Sequence, residues 1–193
     1  MPRFTAVLAA VAAAAALQLA CSDYSGISQP EPRPGRTPAY ALASNSADGV
    51  HRVEILDACD PISFDAVFGV GTCVRGGGRN LFDFLDEVGA KHEAGAWRFA
   101  SANIEARVGQ TLLAINRGGE KHTFTEVRQF GGGLNTVLNE LSHNPNVAPE
   151  CATSTMIDAG ASQTDELDEE GTELYQCCIH PWMRTTVHVR GRV

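Results

Sequence analysis

Near its C-terminus the chain reads Tyr175-Gln-Cys177-Cys178-Ile-His180-Pro-Trp-Met183-Arg-Thr-Thr-Val187. Cys-x-x-His-x-x-Met places a thiol, an imidazole and a thioether on one short loop. The residues on either side have strand character, so the loop joins two neighbouring strands. Soft sulfur combined with imidazole is the donor set of copper, and a trigonal His₂Cys site with a weak axial Met is one of its recurring arrangements. The loop supplies a single imidazole, so the second has to come from another strand. His122, in Asn116-Arg-Gly-Gly-Glu-Lys-His122-Thr-Phe124, is the candidate donor.

The sequence before this loop favours a sheet scaffold. Apolar and charged residues alternate in Trp97–Phe99 and Ile104–Val108, as on half-buried strands. Turns at Gly109-Gln110 and Gly118-Gly119 delimit further strands at Thr111–Asn116 and His122–Val127. Others are expected at Ser154–Asp158, Thr172–Cys177 and Thr185–Val189. A long connection at 130–150 carries three consecutive glycines from Gly131, a possible helical turn over Leu134–Leu141, and Pro145 and Pro149. Six or seven short strands with turns between them describe an all-β sandwich over residues 96–193. The formal charge of −8 argues against binding nucleic acid by neutralising phosphates.

Upstream, the chain divides into three stretches. Residues 1–20 run from Arg3 into an uncharged, Ala-rich apolar stretch and read as an export signal. Cys21 follows Leu-Gln-Leu-Ala, so it is a suspected lipidation site, although Gln18 departs from that pattern. Residues 21–48 hold Pro30, Pro32, Pro34 and Pro38 without apolar periodicity and read as a tether. Residues 49–95 read as an accessory segment with one short helix. Leu81, Phe84, Leu85 and Val88 recur at helical spacing, with Asn80 as cap and Gly89 as stop. The expected location is the periplasm or cell envelope, with a lipid anchor in the membrane.

From about Trp97 onward the chain resembles the cupredoxin (type 1 blue copper) family. The ligand loop is most similar to those of amicyanin- and pseudoazurin-like members. The resemblance implies a Greek-key β-sandwich with one copper ion, and metal-ligand roles for His122, Cys177, His180 and Met183. It implies one-electron transfer with a redox partner protein such as a cytochrome c or an oxidoreductase, by a monomer. No coordination position is left open and no His-x-His pair occurs, so a carrier is expected and not an enzyme. The alternative is a copper-binding or sequestration protein using the same ligands. The chain departs from compact members in the long gap from His122 to Cys177, in Thr123, and in Cys178 beside the ligand.

Zinc could take Cys177, Cys178, His180 and His122, but it does not use Met. A dinuclear copper loop needs spaced cysteines, and these two are adjacent. For an exported chain, Cys59 and Cys73 bracket a loop suited to a disulfide. Cys151 and Cys178 remain, and a bridge between them would tie the 130–150 connection to the ligand loop. Four cysteines allow three connectivities. His51, His92 and His143 are read as surface residues, and His188 as facing solvent. The acids Asp165, Glu166, Asp168, Glu169, Glu170 and Glu173 are read as a solvated loop, or as a patch for a basic partner. Trp182 is read as packing, or as part of an apolar docking surface around an exposed edge of His180.

Overall fold

The computed structural model describes residues 49–192. The signal at 1–20, the tether at 21–48 and the lipidation site at Cys21 lie outside the described residues.

Two four-stranded sheets form the scaffold. The first has the order β2 (Arg98–Phe99), β1 (Val50–Leu56), β4 (Thr111–Asn116), β6 (Ser162–Glu166). The second has the order β3 (Asn103–Arg107), β8 (Arg184–Arg190), β7 (Gly171–Gln176), β5 (Thr125–Val127). Both sheets are mixed: β1 runs parallel to β4 and β3 parallel to β8, and the other pairs are antiparallel. The chain passes between sheets at β2–β3, β3–β4, β4–β5, β5–β6 and β6–β7, so it is not a simple meander. Inward residues alternate with outward ones. Val53, Ile55, Leu112 and Ala114 of one sheet face Ile104, Ala106, Val187 and Val189 of the other, and all are buried. Phe124 stacks on Tyr175 at a centroid distance of 4.5 Å.

Among the described residues three α-helices lie outside the sheets, α1 (Pro61–Phe68), α2 (Leu81–Lys91) and α3 (Thr136–Leu141), with a short 3-10 helix at Pro149–Thr153. Asp60 caps α1 by accepting from the Ser63 N–H, and Pro61 opens the helix, where its missing N–H costs nothing. Asn80 caps α2 as the sequence suggests, and Leu81, Phe84 and Val88 bury its apolar face. The helix passes through Gly89 and ends at Lys91, because His92 adopts the left-handed conformation (φ 65°) that terminates it.

The structure alters several expectations. The change at residue 96 is one of sequence character only, since β1 from the 49–95 segment sits in the core of the first sheet beside β4. His51 on β1 is buried, not superficial, with Nε2 2.9 Å from Gln110 Oε1. Of the strand expected at His122–Val127 only Thr125–Val127 pairs. Residues 154–158 form no strand, only one bridge between Ile157 and His122. Asp165 and Glu166 belong to β6 and not to a free loop. Carboxylate oxygens of Asp165 and Glu173 lie 2.7 and 2.8 Å from the Tyr175 hydroxyl and share its one proton. His92 and His143 are exposed and stack on each other.

Candidate metal centre

The loop between β7 and β8 closes on itself. The Cys177 N–H donates to the Met183 carbonyl at 3.0 Å, and the Met183 N–H donates to the His180 carbonyl at 3.0 Å. Cys177, His180 and Met183 are all buried under this loop. His122 lies just ahead of β5, held by two backbone hydrogen bonds with Ile157, at 3.2 and 2.7 Å. Thr123 joins the two pieces. Its hydroxyl accepts from the Cys178 N–H at 2.8 Å, and its own N–H points at Cys177 Sγ at 3.5 Å. The departure at Thr123 therefore has a local function as a tie between the ligand strands.

His122, Cys177 and His180 converge so that one donor atom from each lies within 4.8 Å of the others. Nδ1 of His122 is 3.7 Å from Cys177 Sγ, and Nδ1 of His180 is 3.8 Å from it. Cys59–Cys73 and Cys151–Cys178 are disulfides, so Cys177 is the free cysteine among the described residues. With Cys178 oxidised, a second thiolate is not on hand for a two-Cys zinc or dinuclear copper site. A lone thiol, two imidazoles aimed at it and a buried thioether on the same loop form a donor set that suits copper. Met183 is buried on the same loop, three residues after His180.

The outward nitrogens meet carboxylates. His122 Nε2 is 2.8 Å from Asp57 Oδ2, and both side chains are buried. His180 Nε2 is 3.8 Å from Glu120 Oε2, too far for a hydrogen bond but within ion-pair reach. The indole N–H of Trp97 donates to the same Glu120 oxygen at 2.5 Å. Asp57, Cys59 and Glu120 also cluster, but Cys59 is in a disulfide, so this group lacks a thiolate.

These contacts set the protonation of the metal-free site. Burial disfavours the Cys177 thiolate, but His122 and His180 more than offset it, and the thiol titrates well below its ordinary value. Burial disfavours the His122 cation, yet Asp57 and Cys177 lift its pKa to about 9. Burial likewise opposes the Asp57 anion, while His122 and the N–H groups of Gly119 and Glu120 bring its pKa down to about 2. For Glu120 burial prevails over His180 and Trp97, and its pKa is raised.

The imidazole edge of His180 is not exposed, contrary to the expectation above; the residue is 2% exposed. Phe84 of α2 meets the ring edge-on at 6.1 Å between centroids, Trp182 lies at 5.6 Å and Trp97 at 6.4 Å. Trp182 is half-buried, and its N–H donates to the Trp97 carbonyl. A cavity of about 730 Å³, walled by apolar side chains such as Phe68, Leu81, Phe84 and Val137, reaches His180 and Glu120 from the α1 side.

The two sheets and a ligand loop between the last two strands make this a cupredoxin-like β-sandwich. Among solved structures, a Cu(I)-form amicyanin variant is similar over 50% of this chain and 76% of its own, at 22% identity and TM-score 0.36. A purple cupredoxin from Nitrosopumilus maritimus is similar over 72% of this chain and 98% of its own, at 16% identity and TM-score 0.40. At these scores the likenesses add nothing to the strand order and ligand geometry. No family model and no curated protein matches the chain.

The sequence does not mark Asp57, Glu120 or Trp97 as part of the site. Asp57 lies 65 residues before its partner, outside any motif. The one clue in the sequence is the Gly118-Gly119 pair, where a side chain would collide with Asp57 and Cys59.

Proposed function

We propose that this chain is a mononuclear copper protein that carries single electrons. One observation carries the reading: a buried free thiol, Cys177, faced by Nδ1 of two imidazoles from different parts of the chain. His122, Cys177 and His180 would hold the ion, with the Met183 thioether as a further, weaker donor. Bound copper supplies a one-electron couple. The chain's own groups do the rest. The Thr123 N–H and the two imidazoles stabilise the thiolate, and the closed loop fixes its direction. The aromatic rings around His180 exclude water. A scaffold that holds the donors before the metal arrives keeps reorganisation small. The partner is proposed to be a redox protein such as a cytochrome c or an oxidoreductase, met in the cell envelope. That location rests on the signal-like residues 1–20 and Cys21.

A second reading, copper sequestration, draws on the burial of both imidazoles, 0% exposed for His122 and 2% for His180. Burial slows ligand exchange as well as partner access.

The test is the visible spectrum of the Cu(II)-loaded protein. An intense thiolate charge-transfer band is expected, abolished by Cys177→Ser and retained in Cys178→Ser. A colourless wild type, or a band that follows Cys178, would contradict the ligand assignment. Fast bimolecular electron exchange with a small redox dye supports the carrier, and its absence in a coloured protein supports sequestration.

A further inference from the structure

The 49–95 segment does more than add β1 to the sandwich. Asp57 follows the end of β1, and its carboxylate collects four donors. Oδ2 is 2.8 Å from His122 Nε2 and accepts from the Glu120 N–H at 3.1 Å. Oδ1 accepts from the N–H groups of Gly119 at 2.9 Å and Cys59 at 3.2 Å. A carboxylate so occupied has one orientation.

The surroundings hold it there. The Cys59–Cys73 disulfide closes the loop that follows Asp57. Val74, next after Cys73, donates to the Gly119 carbonyl at 2.9 Å, and Gly77 donates to the Cys59 carbonyl at 2.7 Å. The 116–120 turn comes so close that a Cβ at Gly118 would overlap the Asp57 carboxylate, and one at Gly119 the Cys59 sulfur. Asn116 shapes this turn, accepting from the Gly118 N–H and donating to the Glu120 carbonyl.

We propose that Asp57, clamped by the disulfide loop of the N-terminal segment, is the positioning residue of the metal centre, fixing His122 with a proton on Nε2 and with Nδ1 as the nitrogen aimed at Cys177. This rests on the copper reading for its consequence but not for its geometry. A carboxylate behind an imidazole orients the ring and strengthens its donor nitrogen. It also places a fixed negative charge behind the ligand, which favours the more highly charged Cu(II) over Cu(I). The disulfide loop thereby becomes part of the centre's tuning.

The first experiment needs no metal. Imidazole ¹H–¹⁵N correlation spectra of the copper-free protein should show His122 with a slowly exchanging proton on Nε2. That proton should lose its protection in Asp57→Ala and in the double variant Cys59→Ser/Cys73→Ser. In copper-loaded Asp57→Asn the amide oxygen can still accept from Nε2–H, so the thiolate band should persist. The equilibrium should nevertheless move at least tenfold toward Cu(I) at fixed potential, a rise of about 59 mV for one electron. A proton on His122 Nδ1 alone in the wild type, or an unshifted potential in a coloured Asp57→Asn, overturns the proposal. A wild type that shows the Nε2 proton but takes up no copper sinks the copper reading and leaves the positioning geometry standing.

Discussion

His122 and His180 face the same thiol, but different parts of the chain hold them. His122 is fixed by polar contacts: a 2.8 Å hydrogen bond to Asp57, two backbone bonds to Ile157, and a turn tied to the disulfide loop. His180 has no hydrogen bond to a carboxylate; Glu120 stands off at 3.8 Å, and Phe84, Trp97 and Trp182 surround the ring. Hydrogen bonds fix a ring's direction and tautomer, whereas aromatic packing fixes its volume and keeps water out. The centre thus has one arm set by charge and one by packing, and the two arms should fail under different perturbations.

The largest effect is expected on the packed arm. Phe84 touches Phe64, Trp97, Trp182 and His180 and is 3% exposed. Phe84→Ala should cost about 3–5 kcal/mol in chemical denaturation, the usual range for emptying such a site. It should also broaden the His180 ring signals while the His122 Nε2 proton stays protected. Equal disturbance of both rings would show that the arms are not independent.

A smaller effect separates the arms by pH in the metal-free protein. His122 has its folded pKa raised from 6.5 to about 9, so its contribution is full below pH 6.5 and is lost as pH rises through 9. Cys177 has its folded pKa lowered well below 9, so its contribution is full above pH 9 and is lost as pH falls through the lowered value. Where the two windows overlap below pH 9 the slopes oppose each other, because folding there moves a proton from thiol to imidazole. Unfolding free energy should be nearly flat there; a slope near 1.4 kcal/mol per pH unit would contradict the pairing. Asp57 acts at the acid end. Its folded pKa of about 2 lies below the ordinary 3.8, so its contribution holds above pH 3.8 and is lost as pH falls through 2.

The same division governed what could be read from sequence. The ligand loop was legible because Cys177, His180 and Met183 lie on one short stretch, and β4 because the apolar run Leu112–Ile115 lies between turns at Gly109-Gln110 and Gly118-Gly119. The two disulfides in the structure match the pairs that cysteine arithmetic suggested. Strand β6, Ser162–Glu166, was invisible because none of its side chains is fully buried, so no apolar period marks it. Strand β1 does alternate, but a pairing with β4 some sixty residues on leaves no local trace. The burial of His180 was missed for a related reason. Its cover comes from α2 and from Trp97, and the loop sequence holds no record of either.

Copper K-edge X-ray absorption of the loaded protein tests the central claim most directly. One short sulfur scatterer and two imidazole nitrogens are predicted, with the sulfur lost in Cys177→Ser and one imidazole lost in His122→Ala. Two short sulfurs, or a first shell without sulfur, would contradict the account.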